Sequence, residues 1–431
     1  MGIYQLLISL VDRLLHIVWN SPRLQHYLFT HRPKVYKVVM GQRELLDHIA
    51  ATMAREQREV YWLHASSYGE YNVIRPVVQR LRTAERAVVI TFFSSTGYEM
   101  LQAKNKHGEE ADYVFYLPLD KKCYVRRFLD SVKPQRAVFA ISEYWMNYLN
   151  ELQRRKIPAF VVSMSVPENS YLLKWYGYPI RKALNAMQTM MVLDEGSKER
   201  LQQVGFCNVV VTGDPLFDNA VAIAREDYHH PVVERFAKTT NGLLVAGSIN
   251  DERDVALVTQ LVNRHSERKW LIVPHELKDQ CICSIEQRLT VKSLRSSQCD
   301  DQTLLDDVQV LIVDELGQLA RLYRYGRWAY VGGGFTPYLH SVIEPVVYGM
   351  PVVYGPRLER KPVAREMARM GIGGVVETPG ELEQWWTAME DDHRLKRLQQ
   401  QALQYAQRQA GATDRVVEIL LSGTARKEVG E

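Results

Sequence analysis

Short apolar runs alternate with helical patterns along most of this chain, and no other feature constrains its fold as strongly. A first series of runs lies between Val60 and Val211, and a second lies between Leu243 and Tyr354. Apolar strands separated by helices are typical of parallel sheets covered on both faces. The sequence therefore predicts an α/β fold with two doubly wound, Rossmann-like domains. Such sheets bind ligands beyond the carboxyl ends of their strands, so we expect the site in the cleft between two facing sheets.

The length of 431 residues is ample for two domains. The two series are joined between Asp214 and Asn241. We predict an N-terminal helical segment over 1–33, a first domain over 34–220, and a second domain over 221–425 that includes the closing helices.

Bulk composition excludes some classes of function. The apolar and charged fractions, 46% and 24%, are those of a folded globular protein, and a net charge of +4 gives no reason to expect a nucleic-acid partner. Cys281 and Cys283 lack a second pair of ligands at zinc spacing. Reduced thiols are therefore favoured over a metal site.

The first residues form a strongly apolar amphipathic pattern between Ile3 and Trp19. The polar residues fall on one narrow helical stripe: Gln5, Ser9, Asp12, Arg13, His16 and Asn20. The segment is short for a membrane span and carries charges at mid-length, which favours a helix lying in a membrane surface. Several following basic residues could meet anionic headgroups: Arg23, Arg32, Lys34, Lys37 and Arg43. The alternative is a helix packed on the protein's own core or on a partner.

Candidate chemical residues of the first domain follow its strands. The loop after the first strand carries His64, Ser66, Ser67 and Gly69, and it leads to Glu70 in the first turn of a helix. A carboxylate there either satisfies the helix dipole or acts as a general base. Glu143 follows another strand, where it is either a second carboxylate of the cleft or an N-terminal helix charge.

The second domain shows the same arrangement. Gly247 and Ser248 follow a strand and could cradle a phosphate with backbone amides. The next two strands end in further candidates: Pro274, His275 and Glu276 after one, and Asp314 and Gly317 after the other. Each candidate alone is weak evidence, but together they favour a site at the strand ends.

A glycine loop lies between two strands of the second domain, Trp328–Val331 and Pro351–Tyr354. Its glycines, Gly332, Gly333 and Gly334, would let the backbone approach a ligand and point amides at an anion. A helix is expected over Ser341–Tyr348 with Ser341 as its N-cap. Glu344, one turn in, is placed to accept hydrogen bonds from vicinal sugar hydroxyls. The alternative is an ordinary strand–turn–helix with a structural turn.

Taken together and in this order, the motifs resemble the 3-deoxy-D-manno-octulosonic acid (Kdo) transferases of lipopolysaccharide biosynthesis, in a divergent form similar to the Bacteroidetes enzymes. The resemblance covers nearly the whole chain. It is carried by HASSYGE at 64–70, TFFSSTGYE at 91–99, FYLPLD at 115–120, SEYWMNYLNELQRRKIP at 142–158, GDPLFD at 213–218, PHE at 274–276, DELGQL at 314–319 and VGGGFTPYLHSVIEP at 331–345.

The resemblance implies a GT-B glycosyltransferase with an N-terminal acceptor domain and a C-terminal nucleotide-sugar domain. The implied reaction moves Kdo from CMP-Kdo to a phosphorylated lipid A precursor at the cytoplasmic face of the bacterial inner membrane, with inversion and without a metal or other cofactor. Glu70 would be the catalytic base, Glu143 would position the acceptor, and Glu344 would bind ribose. His340 and Ser341 stand at the positions of the His-Asn pair of the family's glycine loop.

The chain departs from the family pattern around the expected donor phosphate. Ile249, Asn250 and Asp251 replace a Thr-Trp-Pro stretch, Leu216 replaces a basic residue, and Ser341 replaces an asparagine. Lost cations should weaken the binding of an anionic donor, although some basic residues could compensate: Arg253, Arg357, Arg360 and Lys361. Two alternatives stay open, which are a GT-B transferase for another nucleotide sugar and a non-catalytic paralogue that binds lipid or a partner protein.

Overall fold

The computed structural model describes residues 2–105, 108–142, 144–249, 251–359 and 361–422. These residues form two compact units. Unit 1 comprises residues 2–219 together with 411–422, and unit 2 comprises residues 220–410.

Unit 1 is a parallel α/β sandwich preceded by four helices. Its elements in chain order, up to the boundary of the two units, are α1 (Gly2–Trp19), α2 (Pro22–His31), α3 (Pro33–Gly41), α4 (Leu45–Met53), β1 (Glu59–Ala65), α5 (Tyr68–Leu81), β2 (Arg86–Phe92), α6 (Ser95–Lys104), β3 (Tyr113–Tyr116), α7 (Lys122–Val132), β4 (Arg136–Ala140), α8 (Met146–Arg154), β5 (Ala159–Met164), α9 (Tyr178–Leu184), β6 (Met187–Val192), α10 (Glu195–Gln203), β7 (Val209–Val211) and α11 (Pro215–Arg225). Two 3₁₀ turns precede α9, at Tyr171–Leu173 and Trp175–Gly177.

The seven strands of unit 1 are all parallel, in the order β3-β2-β1-β4-β5-β6-β7. Alternate residues of β1 enter two separate cores. Trp62 packs with Phe128 and Tyr148 on one face of the sheet, whereas Leu63 packs with Ile74 on the other. Because both faces are buried, the strands are apolar at nearly every position, which is the pattern that predicted them.

Unit 2 repeats this architecture. Its elements are α12 (Pro231–Lys238), β8 (Leu243–Ile249), α13 (Glu252–Arg264), β9 (Trp270–Pro274), α14 (Asp279–Glu286), β10 (Ser293–Arg295), β11 (Val310–Ile312), α15 (Leu319–Leu322), β12 (Gly326–Val331), α16 (Ile343–Val346), β13 (Val352–Tyr354), α17 (Pro362–Met370), β14 (Gly373–Val375), α18 (Pro379–Met389) and α19 (Asp392–Gln409). Its seven parallel strands follow the order β10-β11-β9-β8-β12-β13-β14. The sequence pattern missed the three-residue strands β10 and β14, because neither is an apolar run.

The last described helix, α20 (Ala412–Ser422), packs in unit 1 and not in the second domain to which its sequence was assigned. Val416 and Leu420 lie in the same core cluster as Ile74 of α5. The Asp218 carboxylate accepts the amide hydrogens of Gly411 and Thr413, at 2.6 and 2.7 Å. Apolar periodicity predicted the helix but not the sheet that it covers.

Helix α1 packs one edge against the rest of unit 1 and leaves most of its apolar surface exposed. Gln5 donates to Asn147 Oδ1 at 2.5 Å, and buried Asp12 pairs with Lys121 at 2.7 Å. The exposed apolar side chains are Ile3, Leu6, Leu7, Leu10, Val11, Leu14 and Ile17. In the described part of the chain, α1 alone is long and apolar enough to cross a membrane, by length and composition. The predicted polar stripe is therefore split between two environments. Gln5 and Asp12 contact the rest of unit 1, whereas Ser9, Arg13 and His16 are exposed.

Candidate functional site

Each sheet has a switch point, where neighbouring strands are followed by connections that run in opposite directions. Several of the candidate residues lie at these two switch points. In unit 1, β1 pairs with β2 on one side and with β4 on the other. In unit 2, β8 pairs with β9 and β12 in the same way. Adjacent loops leave a switch point in opposite directions and open a crevice at the carboxyl ends of the strands, which is where open α/β sheets bind ligands.

At the switch point of unit 1, a reciprocal cap fixes Glu70 in the first turn of α5. The Ser67 hydroxyl accepts the Glu70 amide hydrogen at 3.3 Å, and Glu70 Oε2 accepts the Ser66 amide hydrogen at 2.6 Å. Glu70 is partly exposed and Gly69 is exposed beside it. The carboxylate therefore caps the helix terminus while Glu70 as a whole stays partly exposed, so both interpretations of Glu70 are compatible with the structure.

His64 is buried and links Thr91 of β2 to Trp145 through hydrogen bonds of its ring. Its Nδ1 lies 3.0 Å from the Thr91 carbonyl oxygen and 2.9 Å from the Thr91 hydroxyl, and its Nε2 accepts from the Trp145 indole at 3.1 Å. An Nε2 that accepts a hydrogen bond places the imidazole proton on Nδ1. The ring is fully buried, so it positions Trp145 and takes no direct part at the exposed edge.

The loop after β4 contains Glu143, which lies outside the described residues. Ile141, two residues earlier, has φ +63°, a left-handed conformation that is costly for a β-branched residue. Ser163 in β5 and Ser248 in β8 also have positive φ, at +58° and +57°. Strained backbone therefore occurs near the carboxyl ends of three strands, where binding sites often store it.

The glycine loop of unit 2 is tight because it packs against the protein's own backbone. A Cβ on Gly332 would lie 2.4 Å from the Ser248 carbonyl oxygen, and one on Gly334 would lie 2.4 Å from the Gly355 nitrogen. Gly333 has φ +85°. The Gly332 amide donates to the Gly247 carbonyl oxygen at 2.9 Å, and the Gly333 amide donates to a carboxylate. These two amides are already engaged, which leaves less of the loop for the anion that the sequence predicted.

That carboxylate belongs to Asp254, a residue that the sequence analysis missed. It is fully buried in α13, where Oδ2 accepts the Gly333 amide hydrogen at 2.6 Å and Oδ1 accepts the Tyr330 hydroxyl hydrogen at 2.6 Å. Burial raises the pKa of the Asp254 carboxyl above its usual value, and the two hydrogen bonds oppose that rise. An acid in the first turn of a helix was the available signal, but nothing in the pattern distinguished it from a solvated charge.

A basic and acidic cluster lies beside this loop. The His275 and His340 rings are 4.2 Å apart at their centroids. Burial, followed by the influence of His275 and Lys361, lowers the pKa of the His340 imidazole to about 4. Burial raises the pKa of the Glu344 carboxyl to about 7, with Lys361 opposing the rise. Unit 2 therefore places His275, His340, Lys361 and Glu344 within electrostatic reach of one another at the glycine loop. Perturbed pKa values of this kind cluster at functional sites.

The expected helix over Ser341–Tyr348 is wrong in length and in its cap. The helix α16 covers only Ile343–Val346, with Val342 before it. The His340 amide bonds the Gly332 carbonyl oxygen, which keeps the preceding residues in the loop, and Gly349 at φ +76° ends the helix early. The Ser341 hydroxyl is buried without a hydrogen-bond partner among the described atoms.

Other predicted residues serve the scaffold. The Asp314 carboxylate accepts from the Ser296 hydroxyl at 2.9 Å and from the Ser297 amide at 3.0 Å. Glu276 pairs with Lys278 at 2.6 Å, Pro274 ends β9, and Gly317 turns the chain at φ +77°. No group of three His, Cys, Asp or Glu side chains that could hold a metal ion occurs within the described ranges.

Two solved structures share this architecture at low identity. The UDP-GlcNAc 2-epimerase of Neisseria meningitidis bound to UDP-GlcNAc superimposes with a TM-score of 0.60 and 15% identity, over 84% of this chain and 100% of that one. MurG of Acinetobacter baumannii superimposes with a TM-score of 0.53 and 13% identity, over 85% and 100%. The fold is thus of the GT-B type, as predicted.

Residues 41–219 match the family model described as 3-deoxy-D-manno-octulosonic-acid transferase. The Kdo transferase of Chlamydia trachomatis is 24% identical over 83% of this chain and 82% of the relative, and that of Aquifex aeolicus is 26% identical over 74% and 83%. The Haemophilus influenzae Kdo transferase is 25% identical over 75% of each chain. These matches define the protein as a glycosyltransferase. It is a divergent relative of the Kdo transferases, which confirms the resemblance of its motifs.

Proposed function

We propose that this protein transfers Kdo from CMP-Kdo to a lipid A precursor, with inversion, in lipopolysaccharide biosynthesis. The observation that carries the proposal is the position of Glu70. Its carboxylate is fixed at the switch point of unit 1 by the cap to Ser66 and remains partly exposed. The names of the relatives identify Kdo as the transferred sugar. The CMP-Kdo donor and the lipid acceptor are parts of our proposal that go beyond those names.

In the proposed reaction, Glu70 takes the proton of an acceptor hydroxyl as that oxygen bonds to the anomeric carbon of Kdo. The bond between this carbon and the phosphate oxygen breaks, and CMP leaves with the electron pair. A single displacement of this kind inverts the carbon and requires a base on the face opposite the leaving group, by the same logic as in inverting glycosidases.

Unit 2 is the proposed donor site. Lys361 is a cation for the phosphate of the leaving group, and the neighbouring His275 and His340 rings add imidazole hydrogen-bond donors. The Glu344 carboxyl, with a pKa of about 7, is poised to exchange hydrogen bonds with ribose hydroxyls at neutral pH. The Arg253 guanidinium lies over the Phe335 ring, 5.8 Å from its centroid, so it stands beside the glycine loop and takes the place of the family's lost cations.

The exposed face of α1 supports membrane association. We propose that the membrane surface is the cytoplasmic face of the bacterial inner membrane. Six apolar side chains of α1 are more than half exposed: Ile3, Leu6, Leu7, Leu10, Leu14 and Ile17. Arg23, Arg32 and Lys34 are exposed just beyond it. An apolar face bordered by cations is typical of helices that lie in an anionic membrane surface.

The decisive experiment is transfer from CMP-Kdo, generated in situ, to a tetraacylated lipid A precursor by wild type and Glu70→Gln. The glutamine oxygen can still accept the Ser66 amide hydrogen, so the helix cap is kept while the base is lost. Loss of a general base should reduce turnover about 10²-fold or more. Glu195→Gln is the matched control, since Glu195 also begins a helix, α10, of unit 1 and is exposed. Normal transfer by Glu70→Gln would overturn the proposed role.

If folded wild type transfers no Kdo, a thermal-shift screen separates the two alternatives. A ligand at a hundredfold excess over its Kd stabilises a protein by about 2.7 kcal/mol. Stabilisation by UDP or GDP compounds but not by CMP would indicate another nucleotide sugar. Failure of every nucleotide to stabilise the protein would indicate a non-catalytic paralogue.

A further inference from the structure

The segment between β5 and α9 exposes an unusual group of aromatic side chains. Within residues 171–178, here called the aromatic loop, Trp175 is 86% exposed, Tyr178 62%, Tyr176 57% and Tyr171 42%. The free energy falls when large aromatic side chains leave water, so the surface of a soluble protein seldom presents several of them side by side. Such a patch indicates a binding surface.

The backbone of the aromatic loop is fixed by hydrogen bonds and close packing. The Arg181 guanidinium donates to the carbonyl oxygens of Leu172 and Lys174, at 2.6 and 2.7 Å. Leu172 is buried in the core of unit 1, and a Cβ on Gly177 would lie 2.2 Å from the Tyr171 carbonyl oxygen. The two consecutive 3₁₀ turns are therefore packed tightly, and Trp175 projects from an ordered support.

The loop is attached to the same segment as α1. The Tyr171 ring contacts Tyr144 edge to face, with centroids 6.4 Å apart, and Asn147 three residues later accepts the hydrogen bond from Gln5 of α1. Trp145 lies between these two attachments and donates to His64. Two exposed apolar surfaces, the outer face of α1 and the aromatic loop, are thus both fixed to residues 144–147. We call this segment, together with His64 and the loop up to Glu70, the candidate acceptor site.

The chemistry of the loop matches a lipid interface. Tryptophan and tyrosine combine an apolar ring with a polar group and concentrate where membrane headgroups meet acyl chains. Lys174 and Lys182 are exposed in and just after the loop, and no acidic residue lies between 169 and 193. A patch of this charge complements the phosphates of an anionic bilayer and would repel a basic surface.

We propose that the aromatic loop is a second membrane-binding element, which inserts Trp175, Tyr176 and Tyr178 into the headgroup region while Lys174 and Lys182 pair with lipid phosphates. The choice of a membrane as partner rests on the proposed function. With α1 it gives unit 1 two points of attachment, so the bilayer fixes the orientation of the acceptor-site edge and not only the location of the protein. A single helix would leave the unit free to rotate about it.

The test uses the full-length protein and vesicles of phosphatidylethanolamine and phosphatidylglycerol, without donor or acceptor. Tryptophan fluorescence is measured with brominated lipids, in wild type and in Trp175→Phe. We expect a component of quenching that Trp175→Phe lacks, whereas Trp19 at the end of α1 contributes equally to both. Identical quenching of the two proteins would overturn the proposal. Because no transfer is measured, the result is independent of the proposed reaction.

Sedimentation with the same vesicles provides the quantitative measurement. Trp175→Ser combined with Tyr176→Ser should lower the partition coefficient roughly tenfold, and Lys174→Glu should lower it about fivefold at low salt. Leu304→Ser is the matched control, because Leu304 is 78% exposed in unit 2. Unchanged vesicle binding of the double variant would overturn the proposal. If the variant instead loses a dimer detected by light scattering, the loop binds a second copy of the chain and the membrane assignment is wrong.

Discussion

The buried carboxylate of Asp254 accepts the amide hydrogen of Gly333 at 2.6 Å and thereby joins the first turn of α13 to the glycine loop. Its other oxygen holds the Tyr330 hydroxyl of β12 at 2.6 Å. Helix, strand and loop are therefore fixed relative to one another at the switch point of unit 2. The shape of the proposed donor site depends on this carboxylate, which no ligand needs to touch.

Asp254→Asn should destabilise the protein and loosen the glycine loop. The asparagine oxygen can accept only one of the two hydrogens, and its NH₂ group faces the other donor, so we expect a loss of about 1–3 kcal/mol. Amide hydrogen exchange of residues 332–340 should rise. Tyr330→Phe is the control, because it removes one donor and keeps the bond to Gly333. Exchange equal to that of wild type in Asp254→Asn would contradict the prediction.

Gly334→Ala should disrupt the same loop through its backbone. The added Cβ would lie 2.4 Å from the Gly355 nitrogen, a contact that the backbone can relieve only by moving. We expect a cost of at least about 1 kcal/mol in chemical denaturation. Gly380→Ala is matched to it, since a Cβ at Gly380 has no atom within 4 Å. A Gly334→Ala protein as stable as Gly380→Ala would show that the close approach is tolerated.

The attachment of α1 should depend on pH through Asp120. Burial raises the pKa of the Asp120 carboxyl from 3.8 to about 6, against hydrogen bonds from Tyr4 and from the amides of Asn147 and Tyr148. Between these pH values the folded state binds more protons than the unfolded state, so stability falls as pH rises through the window, by up to about 3 kcal/mol.

Asp120→Asn should remove most of this dependence, measured as the free energy of unfolding from pH 4 to pH 7. Tyr4→Phe removes one of the donors that favour the charged form, so it should steepen the fall. Tyr27→Phe on the exposed surface of α2 should change neither stability nor its pH dependence. A flat profile for wild type would mean that Asp120 ionises without cost.

The His340 imidazole should report on anion binding. Its pKa of about 4 keeps it neutral at pH 7, and a phosphate beside it would stabilise the charged form. Addition of cytidine monophosphate should therefore raise the His340 pKa by about one unit or more, measured by NMR titration with His340→Asn for assignment. His393, exposed in α19, serves as an internal control in the same spectra. An unchanged His340 pKa in the nucleotide-saturated protein would place the phosphate elsewhere.

The apolar face of α1 should bind membranes without contributing to the stability of unit 1. Leu6 and Leu10 are 71% and 53% exposed, so Leu6→Ser with Leu10→Ser should leave chemical denaturation unchanged and lower binding to anionic vesicles about tenfold or more. Gln5→Ala removes the hydrogen bond to Asn147, so it should lower the free energy of unfolding and leave vesicle binding unchanged. Equal vesicle binding by the leucine variant and wild type would contradict a membrane role for this face.

Local sequence determined the order of the elements and the direction of the strands. Strands buried on both faces are apolar at nearly every position, so β1 to β9 and β11 to β13 could be recognised from short apolar runs. Glycine requirements were also visible, since Gly332 and Gly334 tolerate no Cβ. Caps were less reliable, because Ser67 acts as an N-cap whereas Ser341 does not.

Only the tertiary structure decided what each polar residue does. Asp254 and Glu70 both lie in the first turn of a helix after a strand, yet one is sealed beneath the glycine loop and the other is partly exposed. The same applies to His64, which contacts Trp145 far away in sequence, and to α20, which covers unit 1. Periodicity along a chain specifies which side of an element is apolar. Burial and hydrogen-bond partners depend on which distant segment covers that side, and this is decided when the sheets and helices pack.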